Sequence, residues 1–170
     1  MKSVRRVRYE WDLSKVPTQF PSLPPKHEIK EVKEYDVEAI WEGLQKTFLN
    51  EKGWIIGLDA HLEELRRRLF PEGKPVVGME LLVLMHGPRV VGVSAVYPVP
   101  GEGPQLLSGI TIDYEYQRRG LGTALLQATL RHLADKGLEA ASVVTRETVP
   151  AARFLYPKFG GKSGEVTLTA

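Results

Sequence analysis

The sequence contains no cysteine among its 170 residues. That absence excludes disulfides, zinc sites built on cysteine and a covalent thiol intermediate. The sequence also has no run of roughly 18 apolar residues and no apolar stretch near its start, so we expect neither a membrane span nor a secretory signal, and a cytoplasmic location is the default. A net charge of only +2 gives no indication of a nucleic-acid partner.

Signatures of several enzyme classes are missing as well. The four histidines, at positions 27, 61, 86 and 132, show no metal-ligand spacing, and no H-E-x-x-H motif occurs, so no metal is expected. No G-x-S-x-G elbow of a serine hydrolase is present. What remains is an ordinary chain with 42% apolar residues, which fits one domain with a hydrophobic core.

The first 27 residues are rich in proline. Proline disfavours regular helix and favours extended backbone; the prolines are Pro17, Pro21, Pro24 and Pro25. We therefore expect a proline-rich N-terminal arm over residues 1–27, outside a single domain over residues 28–170. Trp11 and Phe20 could hold this arm against the domain or against a second copy of the chain, as a homodimer.

Residue spacing predicts the elements of the domain. They are a short edge strand at Ile29–Val32, a helix from Asp36 to Phe48, a second helix capped by Asp59, strands at Leu81–Met85, Val90–Tyr97 and 105–112, a helix from Leu121 to Asp135, a strand at Ala140–Thr145, a helix starting at Thr148 or Val149, and a strand at Val166–Thr169. This order predicts an α/β (α+β mixed) fold with one central, mostly antiparallel sheet of six to seven strands and helices on both faces. The strand–helix–strand unit from 105 to 145 predicts one parallel pair.

A glycine turn follows the predicted strand at 105–112. Gly120 and Gly122 let main-chain N–H groups approach a ligand, and the helix that starts there directs its positive end to the same place. Arg118 and Arg119 add positive charge. The turn therefore predicts a phosphate-binding loop, with a plain strand-to-helix turn as the alternative. A dinucleotide fingerprint fits poorly, because Leu125 stands where the third glycine is required.

Two motifs in this order resemble those of one family. Gln117-x-x-Gly120-x-Gly122 resembles the Q/R-x-x-G-x-G/A motif of the GNAT superfamily of N-acetyltransferases. The segment Ala152-x-x-Leu155-Tyr156-Pro157-Lys158-Phe159-Gly160-Gly161 resembles its second motif, A-x-x-L-Y-x-K-x-G-F. The chain departs from the family at Val149, where asparagine is frequent, and at Pro157, which should kink or end the helix directly after the tyrosine.

The resemblance implies acetyl-CoA as cosubstrate and the parallel strands as a splayed pair with pantetheine between them. It places cofactor binding at Ile110, Ile112, Gln117, Arg118, Arg119, Gly120, Leu121, Gly122 and Thr123. It also implies that the Ile112 N–H lies near the thioester oxygen and that Tyr156 donates a proton to the departing thiolate. A core aromatic without a catalytic role is the alternative for Tyr156.

The resemblance leaves the rest of the site open. Glu80, His86, Asp113 and a water relay all stay candidates for the base that deprotonates the amine. The acceptor is expected to be a primary amine of a small molecule or peptide, beneath a lid formed by the loop Gly53–Gly57. The competing hypotheses are a non-catalytic acyl-CoA-binding or regulatory module on the same fold, and an assembly role through the arm.

Overall fold

Two antiparallel sheets and three α-helices make up the structure, a computed structural model that describes residues 5–49, 57–147 and 149–166. The strands are β1 (Arg6–Asp12), β2 (His27–Val32), β3 (Glu80–His86), β4 (Arg89–Val96), β5 (Thr111–Ile112), β6 (Ala140–Arg146) and β7 (Lys162–Glu165). The helices are α1 (Val37–Phe48), α2 (Leu58–Leu69) and α3 (Leu121–Asp135). One sheet has the order β2-β3-β4-β5 and the other β6-β1-β7.

The helices follow the spacing of their apolar residues. The Asp36 carboxylate accepts the Glu38 N–H at 3.2 Å and begins α1, which buries Leu44 and packs on β4 and β5. α3 also packs on β4 and β5, with Leu125 fully buried in the core. The predicted first and third helices are confirmed. The second differs at its start, because Gly57 rather than Asp59 occupies the position before α2.

Strand β1 contradicts part of the expected N-terminal arm. β1 lies between β6 and β7, with Arg6 opposite Arg146 and Asp12 opposite Ala140. Trp11 and Leu13 are each only 1% exposed. Residues 6–13 therefore belong to the folded domain, because β1 pairs with β6 and β7 while Trp11 and Leu13 pack in the core. The boundary between residues 27 and 28 stays a prediction.

The mixed α/β fold with antiparallel sheets is confirmed, but one central sheet with a parallel pair is not found. Within the described ranges, four strands form one sheet and three the other, and every ladder between them is antiparallel. The predicted strand at 105–112 is reduced to β5 and an isolated bridge between Val96 and Leu106. Between these pairings, residues 107–110 stand opposite only 94–95, a bulge that bends the chain out of the sheet.

The C-terminal region is held by strand β1. A helical turn at Ala151–Leu155 ends where the Tyr156 N–H donates to the Ala151 oxygen at 2.9 Å, in agreement with the predicted stop at Pro157. The last strand of the described residues is β7, and its partner is β1, which the sequence did not predict as a strand. The predicted strand Val166–Thr169 lies outside the described residues except for Val166. Thr148, residues 167–170 and most of the expected lid, residues 50–56, lie outside the described residues. None of the described helices is long and apolar enough to cross a membrane.

Candidate functional site

A cavity of about 800 Å³ opens where the two sheets separate. The sheets meet at the Leu106 N–H, which donates to the Ser142 oxygen at 3.1 Å. Beyond that contact, one wall is formed by residues 107–112 and the other by residues 143–146. The cavity extends to the start of α3 and to residues of α1 and α2.

The free edge of β5 faces this cavity. The Asp113 N–H donates to the Val91 oxygen at 2.8 Å, and Thr111 stands opposite Val93. Because hydrogen bonding alternates along an antiparallel pair, the N–H groups of Ile110 and Ile112 point away from β4. Ile110 donates its N–H to the Tyr156 hydroxyl at 3.0 Å, so this predicted pantetheine partner is engaged within the protein. The Ile112 N–H is directed at the cavity.

The start of α3 provides main-chain donors at the other end of the cavity. Gly120 has a φ of +75°, and a Cβ built there would meet no atom within 4 Å. The first hydrogen bond of the helix runs from the Ala124 N–H to the Gly120 oxygen at 3.1 Å, so the three preceding N–H groups have no partner within the helix. Gly122, Thr123 and Arg118 line the cavity here. Together these groups suit an anion.

The side chains of three predicted cofactor residues either lie outside the cavity or are hydrogen-bonded to the protein itself. The Arg119 guanidinium lies 5.5 Å from the centre of the Tyr116 ring and does not line the cavity. Leu121 is 1% exposed and packs in the core. Gln117 lines the cavity, but its amide nitrogen donates to the Ile112 oxygen at 3.0 Å and thereby ties the glycine turn to β5. Only main-chain groups of Arg119 and Leu121 remain candidates.

Tyr156 is both a core aromatic and a cavity residue. Its side chain is 2% exposed, and a Cβ at Gly109 would lie only 2.6 Å from the Tyr156 hydroxyl, so the approach of that hydroxyl requires glycine there. Its ring packs against those of Tyr9 and Trp11, with each centroid at 5.7 Å. Strand β1 therefore fixes the direction of a side chain that comes directly before a proline.

β1 also holds the backbone on both sides of Tyr156. The Tyr9 hydroxyl donates to the Ala152 oxygen at 2.7 Å, and the Trp11 indole N–H donates to the Lys158 oxygen at 2.9 Å. A Cβ at Gly161 would lie 2.7 Å from that indole nitrogen. These contacts replace the helical hydrogen bond that Pro157 removes.

Glu80 is engaged in a polar cluster away from the cavity. Its carboxylate contacts the His132 imidazole at 2.8 Å and the Lys136 ammonium at 3.1 Å. Burial would raise the pKa of Glu80, but these hydrogen bonds outweigh it and lower that pKa below its ordinary value. Oxygen or nitrogen atoms of Glu31, Glu80 and His132 lie within 4.8 Å of one another, although Lys136 already supplies a positive charge to Glu80.

His86 and Asp113, the other two base candidates, also face away from the cavity. The His86 ring stacks on that of His27 at 4.4 Å and hydrogen-bonds the Tyr116 hydroxyl at 2.7 Å. The Asp113 carboxylate pairs with the Arg89 guanidinium at 3.1 Å. Neither residue lines the cavity, and Glu80 does not either, so none of the three is placed to receive a proton from an amine there.

His61 on α2 is a cavity residue that the sequence reasoning did not select. Its ring lies 5.4 Å from that of Phe48, edge to face. Burial lowers the pKa of His61, and the positive charges of Arg146 and Arg68 lower it more than the negative charge of Glu64 raises it. Together these effects bring the pKa to about 4. The imidazole is therefore neutral at neutral pH. Residue spacing in the sequence does not indicate His61 as a site residue, because its neighbours in the cavity come from other helices and strands.

The chain belongs to the acetyltransferase (GNAT) family, whose model matches residues 37–161. None of the curated protein sequences compared with the chain matches it. Similar solved structures include a tandem GNAT protein from the clavulanic acid biosynthesis pathway, with 13% identity and a TM-score of 0.59 over 99% of this chain and 56% of that one. A GCN5-related N-acetyltransferase from Sphaerobacter thermophilus has 20% identity and a TM-score of 0.56, over 96% of this chain and 50% of that one.

A GCN5-related N-acetyltransferase from Kribbella flavida is also similar, with 11% identity and a TM-score of 0.54 over 93% of this chain and 54% of that one. At these identities the likeness concerns the fold. The chain spans about half the length of these structures. Their alignment over nearly the whole chain includes most of the N-terminal segment that precedes the family match at Val37.

Proposed function

We propose that this protein is an N-acetyltransferase that moves an acetyl group from acetyl-CoA to a primary amine of a small molecule or peptide by direct attack. The observation that carries the proposal is the cavity between β5 and β6, which joins the start of α3 to the Tyr156 hydroxyl and the free edge of β5. Family membership supplies the reaction class.

The residues at the start of α3 fit the diphosphate of coenzyme A. The N–H groups of Leu121, Gly122 and Thr123 lack helical partners, and Arg118 adds a positive charge beside them. Gly120 leaves the approach open, since no atom lies within 4 Å of a Cβ built there. We infer that these groups hold the cosubstrate and that the Ile112 N–H binds farther along the cavity.

Acetyl-CoA supplies an activated acetyl thioester for the amine nitrogen to attack. The Ile112 N–H is a fixed donor for the negative charge that develops on the acetyl oxygen, and such donors contribute roughly 3 kcal/mol in comparable reactions. The C–S bond breaks, and the Tyr156 hydroxyl donates a proton to the departing sulfur. Because that hydroxyl accepts the Ile110 N–H, it is polarised toward being a better donor.

The amine must lose a proton, and His61 replaces Glu80, His86 and Asp113 as the proposed acceptor of that proton. His61 lines the cavity and is neutral at neutral pH, since burial holds its pKa at about 4. So low a pKa makes the imidazole a weak base in the unliganded protein. Water at the cavity mouth would take this proton from His61 and return one to Tyr156, which restores both side chains.

Isothermal titration with acetyl-CoA, followed by an assay for released thiol with a panel of amines, tests the proposal. We expect saturable binding and thiol release that depends on the amine. Binding without transfer to any amine would favour the non-catalytic acyl-CoA module instead. No binding at millimolar acetyl-CoA would refute the proposal, because a built cosubstrate site must bind within that range.

A further inference from the structure

A second cavity of about 520 Å³ adjoins the first. The two cavities share His61, Arg68, Leu107, Val144, Thr145 and Arg146. Arg118, Gly120 and Thr123, at the start of α3, line only the first cavity. The second cavity therefore continues the first from a point away from the proposed diphosphate site.

Positive charge dominates the lining of the second cavity. Among the described residues that line it are Arg6, Arg68, Arg146 and one carboxylate, that of Glu64. Glu64 contacts Arg68 at 3.1 Å and Arg6 at 3.5 Å, so one negative charge is shared between two guanidinium groups. Burial lowers the pKa of Arg146, and the charge of Arg6 adds to this effect.

The remaining wall is largely apolar. It includes Tyr97, Val99, Pro100, Pro104 and Leu107. Arg68 is also tied to this wall, since its guanidinium donates to the Leu107 oxygen at 3.3 Å. A ligand that fills the cavity would therefore present an anionic group to the arginines and bury an apolar group against the opposite side.

We propose that the second cavity binds the acceptor, and that the acceptor is a primary amine that also carries a carboxylate and an apolar group. The planar guanidinium group matches a carboxylate with two parallel hydrogen bonds. Among the described lining residues, Arg6 and Arg68 share the one carboxylate of Glu64, so positive charge is in excess there. The acceptor role rests on the proposed function. Because the two cavities share lining residues, His61 among them, an amine on a ligand in the second cavity can reach the first.

Carboxylate binding has a consequence for His61. Among the described residues, the charges that face this imidazole are Arg146 from β6, Arg68 and Glu64 from α2, and Arg6 from β1. A carboxylate against Arg68 and Arg146 offsets the repulsion that lowers the His61 pKa, so a bound acid should raise it. His61 would then be a stronger proton acceptor when an acidic acceptor is present than when the cavity is empty.

The test compares N-acetyl-L-leucine with N-acetyl-L-leucinamide, two product-like probes that differ only at the carboxylate. Calorimetry gives their affinities, and NMR gives the His61 pKa with each probe. We expect the acid to bind about 10- to 100-fold more tightly than the amide. We also expect only the acid to raise the His61 pKa. Arg68→Gln and Arg146→Gln should remove the preference, whereas the adjacent exposed Arg67→Gln, which lines neither cavity, should keep it.

The outcomes separate this inference from the proposed function. Acetyl-CoA binding with equal affinity for acid and amide in the wild-type protein would overturn the inference and leave the acetyltransferase proposal intact. Acid-selective probe binding without acetyl-CoA binding would remove the acceptor role and the proposed function together. An Arg67→Gln protein that loses the preference as fully as Arg68→Gln would show that general charge, not this cavity, selects the acid.

Discussion

Replacing Tyr156 with phenylalanine removes one oxygen from the centre of the proposed site. The Ile110 N–H, now 3.0 Å from that oxygen, would keep no acceptor there, and Ile110 is 6% exposed. A buried donor without its partner costs about 1–3 kcal/mol of folding free energy. If the hydroxyl also donates the proton to sulfur, kcat should fall by roughly 10²–10⁴-fold. Urea unfolding measures the first effect, and the thiol-release assay measures the second.

Tyr9→Phe is the matched control for Tyr156→Phe. It removes a hydroxyl from the neighbouring ring, together with the 2.7 Å hydrogen bond to the Ala152 oxygen, and Tyr9 does not line the cavity. The ring packing on Tyr156 and the Trp11 bond to the Lys158 oxygen are kept, so Tyr156 should stay in place. We therefore expect a loss of about 1 kcal/mol in stability and less than about a threefold change in kcat. Equal kcat values for the two variants, or a Tyr156→Phe rate like that of the wild type, would refute the role of the Tyr156 hydroxyl as acid.

Three further substitutions probe the glycines and the histidine. Gly120→Val, which places a branched side chain at a φ of +75°, should weaken acetyl-CoA binding at least about tenfold in calorimetry, and an unchanged Kd would contradict the phosphate loop. Gly109→Ala puts a Cβ 2.6 Å from the Tyr156 hydroxyl, so it should lower both the melting temperature and kcat, and a wild-type rate would show that this hydroxyl need not stay in place. Because the His61 pKa falls from 6.5 when unfolded to about 4 when folded, the unfolded state binds the extra proton, and stability should be lost as pH falls from about 6.5 to 4. Because solvent reaches His61, we expect this loss of folding stability to be about 1–2 kcal/mol. Urea unfolding of His61→Gln should show a stability that depends less on pH. Identical pH profiles for the variant and the wild type would contradict the lowered pKa.

The sequence predicted elements well where one face of a helix or strand is buried. α1 and α3 repeat their apolar residues at helical spacing, and the glycine turn before α3 adopts the left-handed backbone that its glycine permits. β3 and β4 were also predicted, since both are nearly continuous apolar runs and the turn residues His86–Arg89 join them. In these elements local residue choice and tertiary packing agree.

β1 was missed although a signal was present. Val7, Tyr9 and Trp11 alternate with charged residues, the pattern of a half-buried strand. The prolines that follow favour extended, unpaired backbone, and for that reason the sequence predicts an arm over residues 1–27. Two further features depend on β1: within the described residues β7 pairs only with β1, and β1 side chains position Tyr156.

The cavity walls could not be predicted from local patterns. The bulge at 107–110 depends on Ser108, whose hydroxyl accepts the Ala95 N–H at 2.9 Å from another strand. His61, Arg68 and Arg146 meet from different elements, so no spacing in the sequence joins them. Glu80, His86 and Asp113 were plausible proton acceptors by residue type, but each is turned toward a partner outside the cavity.

The central claim is that the separation of β5 from β6 receives the cosubstrate, with its diphosphate at the start of α3. Titration of ¹⁵N-labelled protein with coenzyme A, followed by amide NMR, tests it most directly. We predict that the largest shift changes include the amides of Ile112, Leu121, Gly122 and Thr123. Saturable binding that leaves those four amides unchanged would contradict the account.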